Sequence, residues 1–140
     1  MKLDAGQGRA PESAVANWQF GEPGLLDALE SVPADRIDDV GFGLIVMDRD
    51  GGVTGYNQAE SQLSGLPVDE VAGRNFFVEV GPCTNNYLIA QRYQDCAGQD
   101  QELDEQLDYV FTYRMSPTPV RLRLLARPGS ARQYLAVRLR

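Results

Sequence analysis

Three side chains in this sequence could do chemistry together: Cys83, Tyr56 and Glu60. Cys83 ends an apolar, aromatic-rich stretch; a proline precedes it and Thr84, a candidate N-cap, follows it. Tyr56 and Glu60 stand four residues apart, a spacing that puts two side chains on one face of a helical turn. A thiol, a phenol and a carboxyl group that share an apolar pocket can hold a covalently attached, titratable small molecule.

The composition excludes several other chemistries. The chain has 140 residues, 43% of them hydrophobic, which predicts one domain with a compact core. It contains no histidine, so histidine general bases, histidine–metal sites and Ser-His-Asp hydrolysis are excluded. The single lysine, Lys2, stands near the start, which argues against a Schiff base. Cys83 and Cys96 do not make a disulfide framework, and two cysteines without histidine are a poor metal site.

The charge of the chain restricts its partners and its location. A net charge of −7 disfavours binding to nucleic acid and to anionic membranes. The first twenty residues lack the apolar core of a signal peptide, and no apolar run is long enough to span a membrane. We therefore expect a cytoplasmic protein. The sequence names neither a downstream partner nor an oligomeric state.

The first half of the chain is predicted to combine a cap with a hairpin and short helices. Residues 1–40 are interpreted as a flexible lead-in and an N-terminal helical cap, with a helix pattern over 21–32, and residues 41–140 as the main domain. Strands over 43–47 and 53–56 flank a turn rich in Asp and Gly. Asn57 should begin a helical turn that stops at Gly65, and Pro67 should open another short helix that ends at Gly73.

The second half is predicted to hold the longest helix and a meander of strands. Apolar residues repeat at helical spacing over 85–97, and residues 98–106 read as an acidic linker. Strict alternation over 107–115 indicates a half-buried strand, and strands over 120–124 and 133–139 follow. The fold class is therefore α+β: an antiparallel sheet with short helices and one longer connecting helix, between which a small ligand could bind.

With these motifs in place, the chain resembles the photoactive yellow protein family, light sensors of the PAS superfamily. The resemblance runs from Phe20 to Arg138. Its strongest matches are Tyr56-Asn57-x-Ala59-Glu60, Gly73-Arg-Asn-Phe-Phe77, Pro82-Cys83-Thr84 and Tyr109-x-Phe111-x-Tyr113-x-Met115. The resemblance implies a PAS fold with a five-stranded antiparallel sheet.

The resemblance also implies a cofactor and its binding residues. It implies p-coumaric acid (4-hydroxycinnamic acid) joined to Cys83 as a thioester, with Tyr56 and Glu60 bonded to its phenolate oxygen. Ser64, where relatives usually have threonine, would support the tyrosine, and Leu66 stands where many relatives have an arginine over the phenolate end. The remaining residues implied at the pocket are Ile45, Phe76, Pro82, Thr84, Phe111, Tyr113 and Met115.

A photocycle follows from that chemistry as an expectation. A buried phenolate needs hydrogen-bond donors, and burial beside a negative charge favours the neutral acid form of Glu60. Trans–cis isomerisation in light would weaken these contacts, and Glu60 would give up its proton and become a buried carboxylate. The cap over residues 1–40 should then open, since it is the least stable element.

Other functions remain open from the residues alone. The chain could be a PAS interaction module that binds a protein or a non-covalent small ligand, with Cys83 merely buried. A thiol enzyme or redox sensor at Cys83 has only a helix N-terminus to activate the thiol, because the chain has no histidine and a negative net charge, so we expect a receptor and not an enzyme. Flavin chemistry lacks its cysteine motif, and haem lacks its histidine. Because the sequence stops after the last strand, we expect a signal to pass to a separate protein or to self-association.

Overall fold

A five-stranded antiparallel sheet organises the part of the chain that the structure, a computed structural model, describes: residues 18–112 and 117–140. Expectations for residues 1–17, Tyr113 and Met115 lie outside this part. The strands are β1 Gly43–Met47, β2 Val53–Tyr56, β3 Leu103–Phe111, β4 Thr118–Ala126 and β5 Gln133–Leu139. Their spatial order is β2-β1-β5-β4-β3, so β2 and β3 are the two edges. The predicted α+β class is confirmed.

Helices precede the sheet and join its two edges. Before β1 lie α1 Leu25–Glu30 and a 3₁₀ helix Ala34–Asp39. Between β2 and β3 lie α2 Gln58–Ser64, α3 Val68–Val71, a π-helical turn Phe76–Val80, a 3₁₀ helix Pro82–Thr84 and α4 Ala90–Gln99. Among the helices of the described ranges, none is both long and apolar enough to cross a membrane.

Local side-chain chemistry sets the turns around β1 and β2, as the sequence predicts. The Asp48 Oδ1 accepts the N–H groups of Asp50 and Gly52 at 2.9 Å each, which closes the turn between the strands. Asn57 caps α2, and Gly65 ends it in the left-handed conformation, at φ 77°. These caps hold α2 directly after β2.

The sheet buries apolar side chains on both faces, because successive residues of a strand point to opposite sides. One face packs under the helices between β2 and β3; we call it the site cluster, and its buried members include Ile45, Met47, Tyr56, Phe76, Phe111, Val120 and Val137. The other face packs under α1; we call it the cap cluster, formed by Phe20, Leu25, Leu26, Leu29, Val40, Phe42, Leu44, Val46, Leu125, Tyr134 and Ala136.

The longest helix begins later than predicted. It was expected over 85–97 with Thr84 as a candidate cap, but α4 spans Ala90–Gln99 and Thr84 ends the preceding 3₁₀ helix. The cause is Asn86, whose Oδ1 accepts the N–H groups of Leu88 and Ile89 and bends the chain into a turn. Likewise α1 begins at Leu25 and not at residue 21.

The prediction of an acidic linker over 98–106 is wrong for the second half of that segment. β3 already begins at Leu103, which is buried and pairs with Ala126. Edge strands carry exposed charged residues, so Asp104 and Glu105 resemble a loop in composition. Both acids form ion pairs on the folded surface.

Candidate functional site

The structure gathers most of the predicted pocket residues into the site cluster. Ile45, Tyr56, Phe76 and Phe111 are buried members of this single cluster. Cys83 and Leu66 are partly buried and pack against the cluster, while Pro82 is exposed. A half-buried thiol therefore lies against the same apolar core that contains a buried phenol.

Tyr56 and Glu60 reach the site from different elements. The expectation that they share one helical face is wrong, because Tyr56 ends β2 and only Glu60 lies in α2. Asn57, between them, has an extended backbone that ends the strand before the helix begins. Both side chains are nonetheless buried, at 2% and 1% exposure.

Ser64 connects the phenol to the end of α2. The Tyr56 hydroxyl donates a hydrogen bond to the Ser64 Oγ at 2.7 Å, and that Oγ also accepts the Leu66 N–H at 3.1 Å. A buried hydroxyl without a partner would cost about 1–3 kcal/mol, so this bond stabilises the phenol in its apolar surroundings. Ser64 therefore bonds the tyrosine hydroxyl directly, and its role toward a cofactor stays a prediction.

The carboxyl group of Glu60 lies close to the sheet because β1 begins with glycine. A β-carbon at Gly43 would overlap the Glu60 Oε1 and lie 3.0 Å from the Val137 carbonyl oxygen. A cavity of about 10 Å³ adjoins Glu60 and Ser64 and is walled by the site-cluster residues Phe111, Val120 and Val137, with Leu63, Thr118 and Leu139. Such a cavity has room for roughly one water molecule.

Asn57 fixes this end of the site to the segment that enters β1. Its Oδ1 accepts the N–H groups of Glu60 and Leu44, both at 2.9 Å. Its Nδ2 donates to the carbonyl oxygens of Phe42 at 2.9 Å and Ile37 at 3.2 Å. One buried amide therefore links the start of α2, where Glu60 lies, to the 3₁₀ helix and to β1.

Cys83 lies in the short 3₁₀ helix, where two side chains hold its backbone. Its carbonyl oxygen accepts the Tyr109 hydroxyl at 2.5 Å and the Asn86 Nδ2 at 2.9 Å. The buried Thr84 donates its hydroxyl to the Gly81 carbonyl at 2.7 Å, so its role in the structure is to close this turn. Sequence reasoning missed Asn86 and Tyr109 as site residues. The available signals were the inward alternation of Tyr109 along β3 and its place in the Tyr109-x-Phe111 match.

The second thiol, that of Cys96, also belongs to the site cluster and lies in α4. Cys96 is buried in α4, and burial raises the pKa of its thiol. A raised pKa lowers the fraction of thiolate, the reactive form. Of the two cysteines, Cys83 is the accessible one.

Comparisons with known proteins agree with this architecture. A family model described as the PAS fold matches residues 34–133. A photoactive yellow protein of Rhodothalassium salexigens is 33% identical over 106 residues, covering 76% of this chain and 84% of that protein. A photoactive yellow protein of Halochromatium salexigens is 31% identical over 105 residues, covering 75% of this chain and 83% of that protein.

A solved structure gives the same result. The crystal structure of the photoactive yellow protein domain from the sensor histidine kinase Ppr of Rhodospirillum centenum superposes with a TM-score of 0.69 at 35% identity. The match covers 82% of this chain and 97% of that domain. The fold is therefore a PAS fold, as predicted. The chain belongs to the photoactive yellow protein family.

Proposed function

We propose that this protein is a blue-light photoreceptor, and not an enzyme, that carries p-coumaric acid as a thioester on Cys83. Membership of the photoactive yellow protein family supports a photoreceptor. The observation that carries the specific chemistry is the burial of Tyr56 and Glu60 beside the apolar cluster that Cys83 contacts.

The side chains at the site fit this cofactor. When bound, p-coumaric acid supplies an absorption band and a double bond that isomerises in light. The chain supplies a half-buried thiol, aromatic and aliphatic walls, and two buried oxygen donors. The cavity of about 10 Å³ next to Glu60 is far smaller than an aromatic ring, so binding requires side chains of the site cluster to move apart.

Cys83 forms the covalent link. Its thiolate would hold the acyl group as a thioester, formed by attack on the carbonyl carbon of an activated acyl donor whose leaving group departs. Acylation also removes the titration and oxidation chemistry of the thiol. Cys83 and Cys96 form no disulfide with each other, which supports a cytoplasmic location, where reducing conditions prevail.

Tyr56 and Glu60 hold the negative end of the cofactor. Hydroxyl hydrogens rotate to suit their partners, so Tyr56 can turn its hydrogen toward an anion while Ser64 donates to Tyr56 in return. Glu60 contributes a second donor only as the neutral acid, the form that burial favours. Hydrogen bonds to an anion are about twice as strong as neutral ones, which keeps the phenolate charged.

Glu60 is also the proton donor in the light. Once it has given up its proton, it is a carboxylate in an apolar site, a state that costs several kcal/mol until water or a cation reaches it. Asn57 bonds the N–H group of Glu60 and, through its amide, the carbonyls of Phe42 and Ile37. The charge at Glu60 therefore weakens the contacts that Asn57 makes to the cap. The N-terminal segment of about residues 1–40 then opens as the signalling event.

Leu66 distinguishes this chain at the phenolate end. Many relatives have an arginine there, and Leu66 supplies no positive charge to that end. Its backbone is fixed by Ser61 Oγ, which donates to the Leu66 carbonyl at 2.7 Å, and by Ser64. We therefore expect Leu66→Arg to change the colour and the dark recovery rate without loss of the cofactor.

Glu60→Gln tests the proton-transfer role. The amide keeps a donor but cannot ionise, so the dark absorption maximum should shift and the light-induced opening of residues 18–40 should be lost. Opening is measured by amide hydrogen exchange under blue light. Glu70→Gln, a change of the same kind at an exposed position in α3, is the control. An unchanged maximum together with unchanged opening would refute the role of Glu60.

A further inference from the structure

Four side chains fasten the end of α1 to the sheet. We call them the cap latch: Glu30, Ser130, Arg132 and Tyr134. The Arg132 Nη2 donates to the Leu29 carbonyl at 2.9 Å and to the Val32 carbonyl at 3.1 Å. The Tyr134 hydroxyl donates to the Glu30 carboxylate and accepts the Arg132 Nε at 2.9 Å. The Ser130 Oγ donates to the same carboxylate at 3.1 Å. The end of α1 is thereby tied to β5 and to the turn before it.

The latch supplies partners that a helix end lacks. The last carbonyl groups of an α-helix have no partner within the helix, and an arginine can bond them while its charge opposes the negative end of the helix dipole. Burial and the bond to Glu30 raise the pKa of Tyr134, so its hydroxyl remains a donor at neutral pH. A helix of 6 residues is too short to be stable by itself, so α1 depends on contacts of this kind.

A different arginine holds the chain before α1. Arg123 in β4 donates to the carbonyls of Phe20 and Glu22. Between the two fastenings, three leucines are buried in the cap cluster: Leu25, Leu26 and Leu29. So short a helix is not stable once one of its ends has left the sheet, and its two ends should therefore open together as one cooperative unit.

We propose that the cap latch controls the opening of the whole segment from Phe20 to Val32, and not only of the helix end that it touches. Weakening the latch then raises the open population of this segment even at amides that lie far from the latch. This effect holds with or without a cofactor. Where cap opening is the light signal, the latch also sets how often the signal arises in darkness, and this consequence alone rests on the proposed function.

Arg132→Met and Tyr134→Phe weaken the latch in two different ways. Arg132→Met keeps an apolar stem and removes the donors to both carbonyls of α1. Tyr134→Phe keeps the ring in the cap cluster and removes only the hydroxyl that bonds Glu30. If Arg132→Met does not fold, Tyr134→Phe tests the latch alone. Arg140→Met is the control, since it removes the same charge at an exposed position where the arginine pairs with Asp108.

Amide hydrogen exchange of the protein without cofactor, followed by NMR in darkness, measures the opening. The Val32 N–H group lies next to the latch and bonds to a carbonyl of α1. The N–H groups of Glu22 and Leu25 lie at the other end and bond to carbonyls that precede them in the chain. Exchange at these amides becomes faster in proportion to the open population of the segment.

Exchange at Val32 and at the two distant amides should accelerate by the same factor. The factor is about thirtyfold in Arg132→Met, for two part-buried charge-assisted bonds, and about fivefold in Tyr134→Phe, for one ordinary net bond. Arg140→Met should change none of these rates, and equal acceleration there would overturn the proposal in favour of a general charge effect. Acceleration confined to Val32 would also overturn it, because a local role predicts that pattern, and so would unchanged exchange at all three amides in both latch variants.

Discussion

A single buried arginine holds the start of the N-terminal cap on the sheet. Arg123 in β4 is only 5% exposed. Its Nε and Nη2 bond both oxygens of Asp104 at 2.8 and 2.9 Å, and its Nη1 donates to the carbonyls of Phe20 and Glu22, each at 2.9 Å. We expect Arg123→Met to release the segment before α1, since methionine keeps the apolar stem and removes the donors.

The size of the effect follows from how deeply each bond is buried. The bond to the Phe20 carbonyl is buried and that to the Glu22 carbonyl is part-buried. A buried charge-assisted bond of about 2 kcal/mol and a part-buried one of about 1 kcal/mol give roughly 3 kcal/mol. The side chain of Asp104 is 41% exposed, so water replaces the guanidinium there and little is added. The open population of the cap should therefore rise about a hundredfold.

Amide hydrogen exchange measures that population in the dark. The N–H groups of Glu22 and Leu25, which bond to the carbonyls of Gln19 and Glu22, should exchange about a hundredfold faster in Arg123→Met. Arg121→Met is the matched control. It removes the same charge two residues earlier in β4, where the arginine pairs with Asp108 on the surface. Equal exchange in the two variants would refute the assignment of the cap contact to Arg123.

Three further outcomes follow from the packing of the site and its neighbours. Ser64→Ala removes the hydrogen bond between the Tyr56 hydroxyl and the Ser64 Oγ, so the free energy of unfolding in urea should fall by about 0.5–1.5 kcal/mol, while Ser64→Thr should keep it; equal values would contradict the bond. Gly43→Ala introduces a β-carbon that overlaps the Glu60 Oε1 and should cost about 1–3 kcal/mol. Gly98→Ala, in open space on α4, should cause no loss, and the same loss at both glycines would argue against crowding at the carboxyl. Burial raises the pKa of Tyr93 well above its usual value. The neutral Tyr93 hydroxyl therefore makes its full contribution to the free energy of unfolding below about pH 10, and this contribution declines as the pH rises further. Tyr93→Phe should reduce this decline when the free energy of unfolding in urea is plotted against alkaline pH. An unchanged slope in Tyr93→Phe would show that Tyr93 does not cause the decline.

Elements that depend on neighbouring residues were predictable from the sequence. The turn closed by Asp48, the cap at Asn57 and the stop at Gly65 each need only a side chain or a backbone conformation within a few residues. The alternation along β3 likewise predicted a buried Phe111. The residues of the pocket were predicted from the family resemblance. The four-residue spacing of Tyr56 and Glu60 did not predict them, because Tyr56 lies at the end of a strand and not in the helix.

Elements that depend on distant residues were not predictable. Arg123 alternates with apolar residues and resembles a solvent-facing position, yet it is buried because the segment before α1 folds over it from 103 residues away. The Asn86–Tyr109 bond joins residues 23 apart in the chain, so no local pattern indicates it. Tertiary contacts of this kind override local pattern, as they did at the acidic start of β3.

A light-sensitive thioester at Cys83 would change both the mass and the colour of the protein. The protein is mixed with activated p-coumaric acid, and its intact mass and absorption spectrum are recorded in darkness and under blue light, with Cys83→Ala as the control. We expect one added p-coumaroyl group and a visible-blue band that bleaches in light and returns in darkness, all lost in Cys83→Ala. A protein that stays colourless with the Cys83 thiol still free would contradict it.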